Sequence, residues 1–167
     1  MNNVTIEMAK RGGKKAQEQI YIEYKDKIYT FCFFRLNNRD DAEDLTQDIF
    51  IKIFKSMATF KGGNFKAWIY RITINHILNT MMRRKDFTEL RKNTAVLREK
   101  DVIETLDIER ALNKMPEKFS LLLILREKEG LNYKELSSVF AVPIGTIKSR
   151  LVKARELFKK FYGGKNG

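Results

Sequence analysis

Apolar side chains along this chain return every three or four residues, the spacing of one helix face, and period-two alternation is nearly absent. Ile20, Tyr24, Ile28 and Phe31 recur at steps of four, four and three, which predicts a helix over roughly residues 16–36. Asn37-Asn38 breaks it. Asp40 with Glu43 three residues on has the form of a capping box. From there Ala42, Leu45, Ile49, Ile53 and Met57 mark a second helix to about Ser56–Met57. Lys61-Gly62-Gly63-Asn64 reads as a loop, with Asn64 as the N-cap of a third helix. That helix carries Phe65, Trp68, Ile69, Ile72 and Ile77 and is expected to end near Arg83-Arg84-Lys85.

Residues 86–103 mix charges with few large apolar side chains, as a linker does. Beyond it the periodicity predicts shorter helices at about 105–115, 117–129, 133–140 and 144–161. Pro116 suits the first turn of the second of these, Gly130 its end, and Val142-Pro143 separates the last two. The expected fold class is therefore all-α, in two small helical domains, 1–88 and 104–162, joined by a short linker at 89–103.

Charge sharpens this outline. The chain has 167 residues with 33 Lys+Arg against 21 Asp+Glu, a formal net charge of +12. A chain so basic is suited to a polyanion, nucleic acid before anionic membrane. Yet residues 40–48 hold five carboxylates and no cation, while Ile49 to Lys85 holds eight Lys or Arg and no carboxylate. The helix dipole accounts for Asp40, Asp41 and Glu43 in a first turn, but not for Asp48 further along. The acid-free stretch also contains Phe60, Phe65, Trp68 and Tyr70, so it pairs phosphate attraction with rings able to stack, although most such rings belong in a core.

The last two predicted helices add a separate signal. Tyr133–Phe140, with Leu136, Val139 and Phe140 inward, precedes the short turn Ala141-Val142-Pro143. The longer segment Ile144–Phe161 then places Ile147, Leu151, Ala154 and Phe158 inward. Two helices across so short a turn form a helix-turn-helix, whose second helix enters the major groove. Its outward Thr146, Lys148, Ser149, Arg150, Lys153 and Arg155 are the hydroxyls and cations that anchor phosphates and read guanine edges.

Three runs together resemble a known family. Asp41-Ala42-Glu43-Asp44-Leu45-Thr46-Gln47-Asp48-Ile49-Phe50-Ile51-Lys52-Ile53-Phe54 resembles the polymerase-core-binding segment of extracytoplasmic-function (ECF) sigma factors, in the sigma-70 family. Phe60 to Asn75, with Lys61-Gly62-Gly63-Asn64 and Trp68-Ile69-Tyr70-Arg71-Ile72, resembles the segment by which that family recognises the −10 element. Leu131 to Leu151 resembles its −35-reading helix-turn-helix, and all three occur in the family's order and spacing. The resemblance implies sigma region 2 in the first domain and sigma region 4 in the second.

The resemblance also assigns roles. Asp44, Gln47 and Asp48, with Phe50 and Ile51 alongside, would face the β′ coiled-coil of RNA polymerase core. Phe60, Lys61, Asn64, Ile72 and Asn75 would hold a flipped-out base of the −10 element, which needs apolar walls and an amide for its edge. Arg71, Arg83 and Arg84 would grip phosphates there, while Thr146, Lys148, Ser149, Arg150, Lys153 and Arg155 would serve the −35 element. Implied partners are core polymerase, through its β′ coiled-coil and β flap, promoter DNA and an anti-sigma factor. The family usually has Ala where Ser137 stands and often Gly where Ala141 stands. Ser137 is expected to bond back to its own helix, and Ala141 either to strain a left-handed turn or to impose another geometry.

Other classes fit less well. One histidine, His76, and one cysteine, Cys32, on separate helices make neither a metal nor a nucleophile constellation, so no catalytic residue, metal or cofactor is expected. Gly12-Gly13-Lys14-Lys15 lacks P-loop spacing and reads as a helix end. A DNA-binding regulator that never touches polymerase accounts for residues 131–161 but not for the acidic block or the −10-like block. Cys32 is expected as a buried thiol in a reducing compartment. No signal peptide, membrane insertion or further domain after Gly167 is expected, which places the protein in the cytoplasm.

Overall fold

The computed structural model describes residues 1–90 and 103–164, and among these every regular element is helical. Helices α1 (Asn3–Lys10), α2 (Lys14–Leu36), α3 (Arg39–Ser56) and α4 (Phe65–Leu90) come first, with a 3-10 turn at Met57–Thr59. Helices α5 (Ile103–Lys114), α6 (Glu117–Glu127), α7 (Tyr133–Phe140) and α8 (Ile144–Gly163) follow. The chain divides into two compact units, Met1–Ile77 and Leu78–Gly167, and the division falls inside α4. That helix continues past the basic cluster at which the sequence pattern stops. Most of the expected linker lies outside the described residues.

In the first unit the junction between α2 and α3 is set by two asparagines. Asn37 adopts φ 48° and ψ 33°, a left-handed conformation that this residue type tolerates, and its N–H donates to the Phe33 carbonyl at 2.8 Å. Asn38 then caps α3 by accepting the Asp41 N–H at 3.0 Å. The cap is therefore Asn38 and not Asp40. Asp40 and Asp41 instead occupy the first turn, where the helix dipole favours negative charge.

The predicted inward stripes are buried, apart from two positions on α4. Ile20, Tyr24, Ile28 and Phe31 of α2 and Ala42, Leu45, Ile49 and Ile53 of α3 are core residues. Of the α4 stripe Phe65, Ile69 and Ile77 are buried while Trp68 and Ile72 are only half-buried, and Tyr70 and Ile74 fill the core in their place. Tyr70 packs edge-on to Tyr24 at 6.2 Å and to Phe31 at 5.7 Å between centroids. Cys32 is a buried free thiol, and burial pushes its pKa up to about 11, so it stays protonated at neutral pH.

The second unit is closed by Leu121, Leu122, Leu125, Leu131, Leu136, Ile147, Leu151 and Ala154. Pro116 is the N-cap of α6, one position before the first turn expected for it. Gly130 takes φ 68°, which lets the Leu131 N–H reach the Leu125 carbonyl at 3.1 Å. A capping box that the sequence pattern did not single out opens α7. Asn132 Oδ1 accepts the Glu135 N–H, and Glu135 Oε2 accepts the Asn132 N–H, both at 2.8 Å.

The turn between α7 and α8 settles what the sequence left open. Ala141 sits at φ 52° and ψ 44°, so the left-handed turn is formed without glycine. Ser137 does not bond back into its helix: its Oγ donates forward to the Val142 carbonyl at 2.6 Å. Replacing Ala141 by Gly should raise stability by about 1 kcal/mol, relief of backbone strain outweighing the added freedom of the unfolded chain. A shift of the urea midpoint to higher concentration at constant slope is the expected result; a lower midpoint would contradict it.

Candidate polymerase and nucleic-acid interfaces

Helix α3 shows two different faces. Its buried stripe leaves Asp44, Gln47, Asp48 and Ile51 outward, at spacings of three, one and three that keep them on one side of the helix. Among the described residues no cation lies within ion-pair distance of Asp44 or Asp48. Ile51 is 51% exposed beside them. An outward strip of unpaired carboxylates around an apolar side chain is suited to a basic protein surface.

Phe50 departs from the expected set. It is buried, with its ring 4.7 Å edge-on to Tyr21 and 5.9 Å from Phe54. It therefore shapes the face from beneath and presents little to a partner. Tyr21, exposed on α2 and touching Phe50, was missed by the sequence reading. Its signal was an aromatic residue off the buried stripe of α2.

The loop before α4 is built by backbone conformation. Gly62 and Gly63 adopt φ 98° and 93°, which side chains other than hydrogen rarely allow, and Lys61 and Asn64 flank them exposed. Asn64 Oδ1 accepts the Ala67 N–H at 2.9 Å, so it caps α4 as the pattern predicted. Phe60 is buried against Phe65 and Trp68, both at 5.3 Å, so it offers a wall edge rather than a projecting ring. Trp68 stacks on Phe65 at 5.6 Å and is half-buried.

Along α4, Arg71 and Asn75 are exposed one turn apart, and Ile72 lies half-buried next to them. His76 is half-buried. Further along the same helix Arg83 is exposed and Arg84 half-buried.

On α8, Lys148, Ser149 and Lys153 are exposed, while Thr146 and Arg150 are half-buried. Ser149 Oγ donates to the Thr146 carbonyl at 3.0 Å, and Lys153 lies 4.0 Å from Glu156, an exposed pair that solvent screens. Arg155 is exposed, and its Nη2 donates to Glu127 Oε1 at 2.9 Å. It braces α8 against α6. Tyr133 is a second residue the sequence did not single out: Arg126 lies 4.9 Å and Lys148 5.8 Å from its ring centroid.

No group of His, Cys, Asp or Glu among the described residues could hold a metal ion, and no described helix is long and apolar enough to cross a membrane.

Comparison with known proteins converges on these same segments. Residues 20–87 match the family model for sigma-70 region 2, and residues 105–158 match that for sigma-70 region 4. The chain is 30% identical to the RNA polymerase sigma-H factor of Pseudomonas aeruginosa, covering 93% of this chain and 90% of the relative. It is 29% identical to the ECF RNA polymerase sigma factor SigW of Bacillus subtilis, over 93% of each. Among solved structures it is similar to the sigma factor RpoE in complex with the anti-sigma factor NepR from Bartonella quintana. That similarity has a TM-score of 0.71 at 25% identity and covers 86% of this chain and 94% of that one. It shares the fold of CnrH, solved with the cytosolic domain of CnrY, with a TM-score of 0.75 at 18% identity over 96% of each chain. The chain belongs to the sigma-70 family of RNA polymerase sigma factors, in its ECF group, and directs RNA polymerase to promoters in transcription initiation.

Proposed function

We propose that this sigma factor divides its work among three surfaces and acts by binding alone, with no reaction of its own. The α3 strip Asp44, Gln47, Asp48 and Ile51 docks on the basic β′ coiled-coil of core polymerase. The Lys61–Asn64 loop with Ile72 and Asn75 takes a base of the −10 element out of the duplex and so promotes strand opening. Arg71, Arg83 and Arg84 hold the backbone of the same strand. Thr146, Lys148, Ser149, Arg150 and Lys153 read the −35 element. One observation carries this division: the first unit exposes unpaired carboxylates on α3 but the Asn75 amide and the Arg71 guanidinium on α4, two surfaces fitted to partners of opposite charge.

Residues 1–88 and 104–162 act in this scheme as two modules on the 89–103 linker, in the cytoplasm where polymerase and promoter meet. Capture by a protein antagonist is proposed as well; what supports it is the resemblance to RpoE, whose solved partner is the anti-sigma factor NepR. The overall test is run-off transcription: core enzyme with this chain should yield promoter-specific transcripts, and equal transcripts without it would refute the proposal.

Replacing Asp48 by Lys should weaken binding to core at least about tenfold, roughly 1.4 kcal/mol, while leaving the helix content unchanged. Unchanged affinity in a pull-down titration would reduce the acidic strip to a helix start. Asn75→Ala should lose about 1–3 kcal/mol of base discrimination at −10 and lower permanganate reactivity of the opened strand. Arg150→Ala or Lys153→Ala should instead leave opening intact once bound, and whichever residue meets phosphate alone should flatten the salt dependence by about one unit of slope. Normal strand opening and unaltered −10 preference in the Asn75→Ala protein would remove that helix from the reading.

A further inference from the structure

The turn between α7 and α8 carries more bonds than a connection of its length needs. The Ser137 carbonyl accepts the N–H of Ala141 and, at 3.2 Å, the N–H of Val142. In return the Ser137 hydroxyl donates to the Val142 carbonyl at 2.6 Å. Ser137 thus grips both polar groups of one residue five positions ahead. That residue immediately precedes Pro143, the N-cap of α8, whose carbonyl accepts the first helical N–H from Ile147 at 3.1 Å.

A proline restricts the residue before it to extended backbone, and Ala141 on the other side is held at φ 52°. Val142 is therefore fixed by neighbours on both sides and by Ser137 across the turn. The direction in which α8 leaves the turn follows from these dihedrals, with no long lever between them and the helix. A small error there is multiplied along the helix that bears Lys148, Ser149 and Lys153.

We propose that Ser137 is a positioning residue for −35 recognition, its hydroxyl fixing the Val142 carbonyl and so the angle at which α8 is presented to DNA. The proposal rests on the reading of α7 and α8 as the −35 reader. Ala141 is its coupled partner: a left-handed alanine holds its conformation over a narrower range than glycine, and the serine bond holds the strained turn closed.

The test is a mutant cycle in the full-length chain: Ser137→Ala, Ala141→Gly, the two together, and Ser137→Thr as the variant that retains the hydroxyl. Each is joined to core RNA polymerase and offered promoter duplexes randomised over the −35 element. Selected sequences and affinity for the best of them are measured beside the thermal midpoint of the chain alone. Ser137→Ala should lower affinity for the parent's preferred sequence about tenfold and broaden the selected pool. The double variant should regain the parent's thermal midpoint but not its preference, because glycine removes strain and leaves the turn angle loose. Ser137→Thr should keep both. Selection of the same sequence with the same affinity by Ser137→Ala would overturn the proposal. So would recovery of preference together with midpoint in the double variant, since Ser137 would then only offset strain. A parent enzyme that enriches no −35 sequence would instead overturn the assignment of α7 and α8, and this proposal with it.

Discussion

The first unit is assembled around the buried ring of Tyr70. Tyr24 and Phe31, one from each half of α2, meet it edge-on, an arrangement that fixes orientation as well as distance. Ring pairs of this kind contribute about 0.5–1.5 kcal/mol beyond the area they bury. With Tyr70, Ile74 and Ile77 turned inward, the 3.6-residue period leaves Arg71 and Asn75 on the opposite side of α4. Rotating α4 by one residue would bury a guanidinium and expose an aromatic ring, so the outward set is dictated by the packing behind it.

Segregated charge is the second organising feature. A net charge of +12 would favour any polyanion, but the acidic outward strip of α3 gives the same unit a surface that repels DNA. A sigma factor needs both, since it must hold a protein and a nucleic acid at once. The exposed positions of α8 carry the excess of cations expected of a groove-reading helix. Arg155 is the exception, its charge met by Glu127 within the fold.

Most of the fold was legible because the chain repeats its apolar residues at helical spacing, and so were the exposed Asp44, Asp48, Asn75 and Lys148. What escaped did so for identifiable reasons. The run Ile49-Phe50-Ile51-Lys52-Ile53-Phe54 has apolar residues on every side of a helix, and Phe50, set beside Ile51 by the family resemblance, is buried while Ile51 is exposed. The Arg155–Glu127 pair joins residues 28 apart, which no local window relates. Asn38 and Asp40 are equally good caps by type, and only the turn at Asn37 decides between them. The forward bond from Ser137 depends on a turn conformation that two alternatives left open.

The glycine pair before α4 bears on which substitutions the loop can take. A β-carbon at Gly62 or Gly63 would meet nothing within 4 Å, so space is not what excludes other residues. Handedness is: a mirror-image alanine would sit at either position without strain, whereas its natural counterpart would not. Asn64 is tied down as well, by its cap on α4. Of the four loop residues Lys61 alone carries neither constraint, so a substitution there changes the side chain the loop presents without disturbing the path of its backbone.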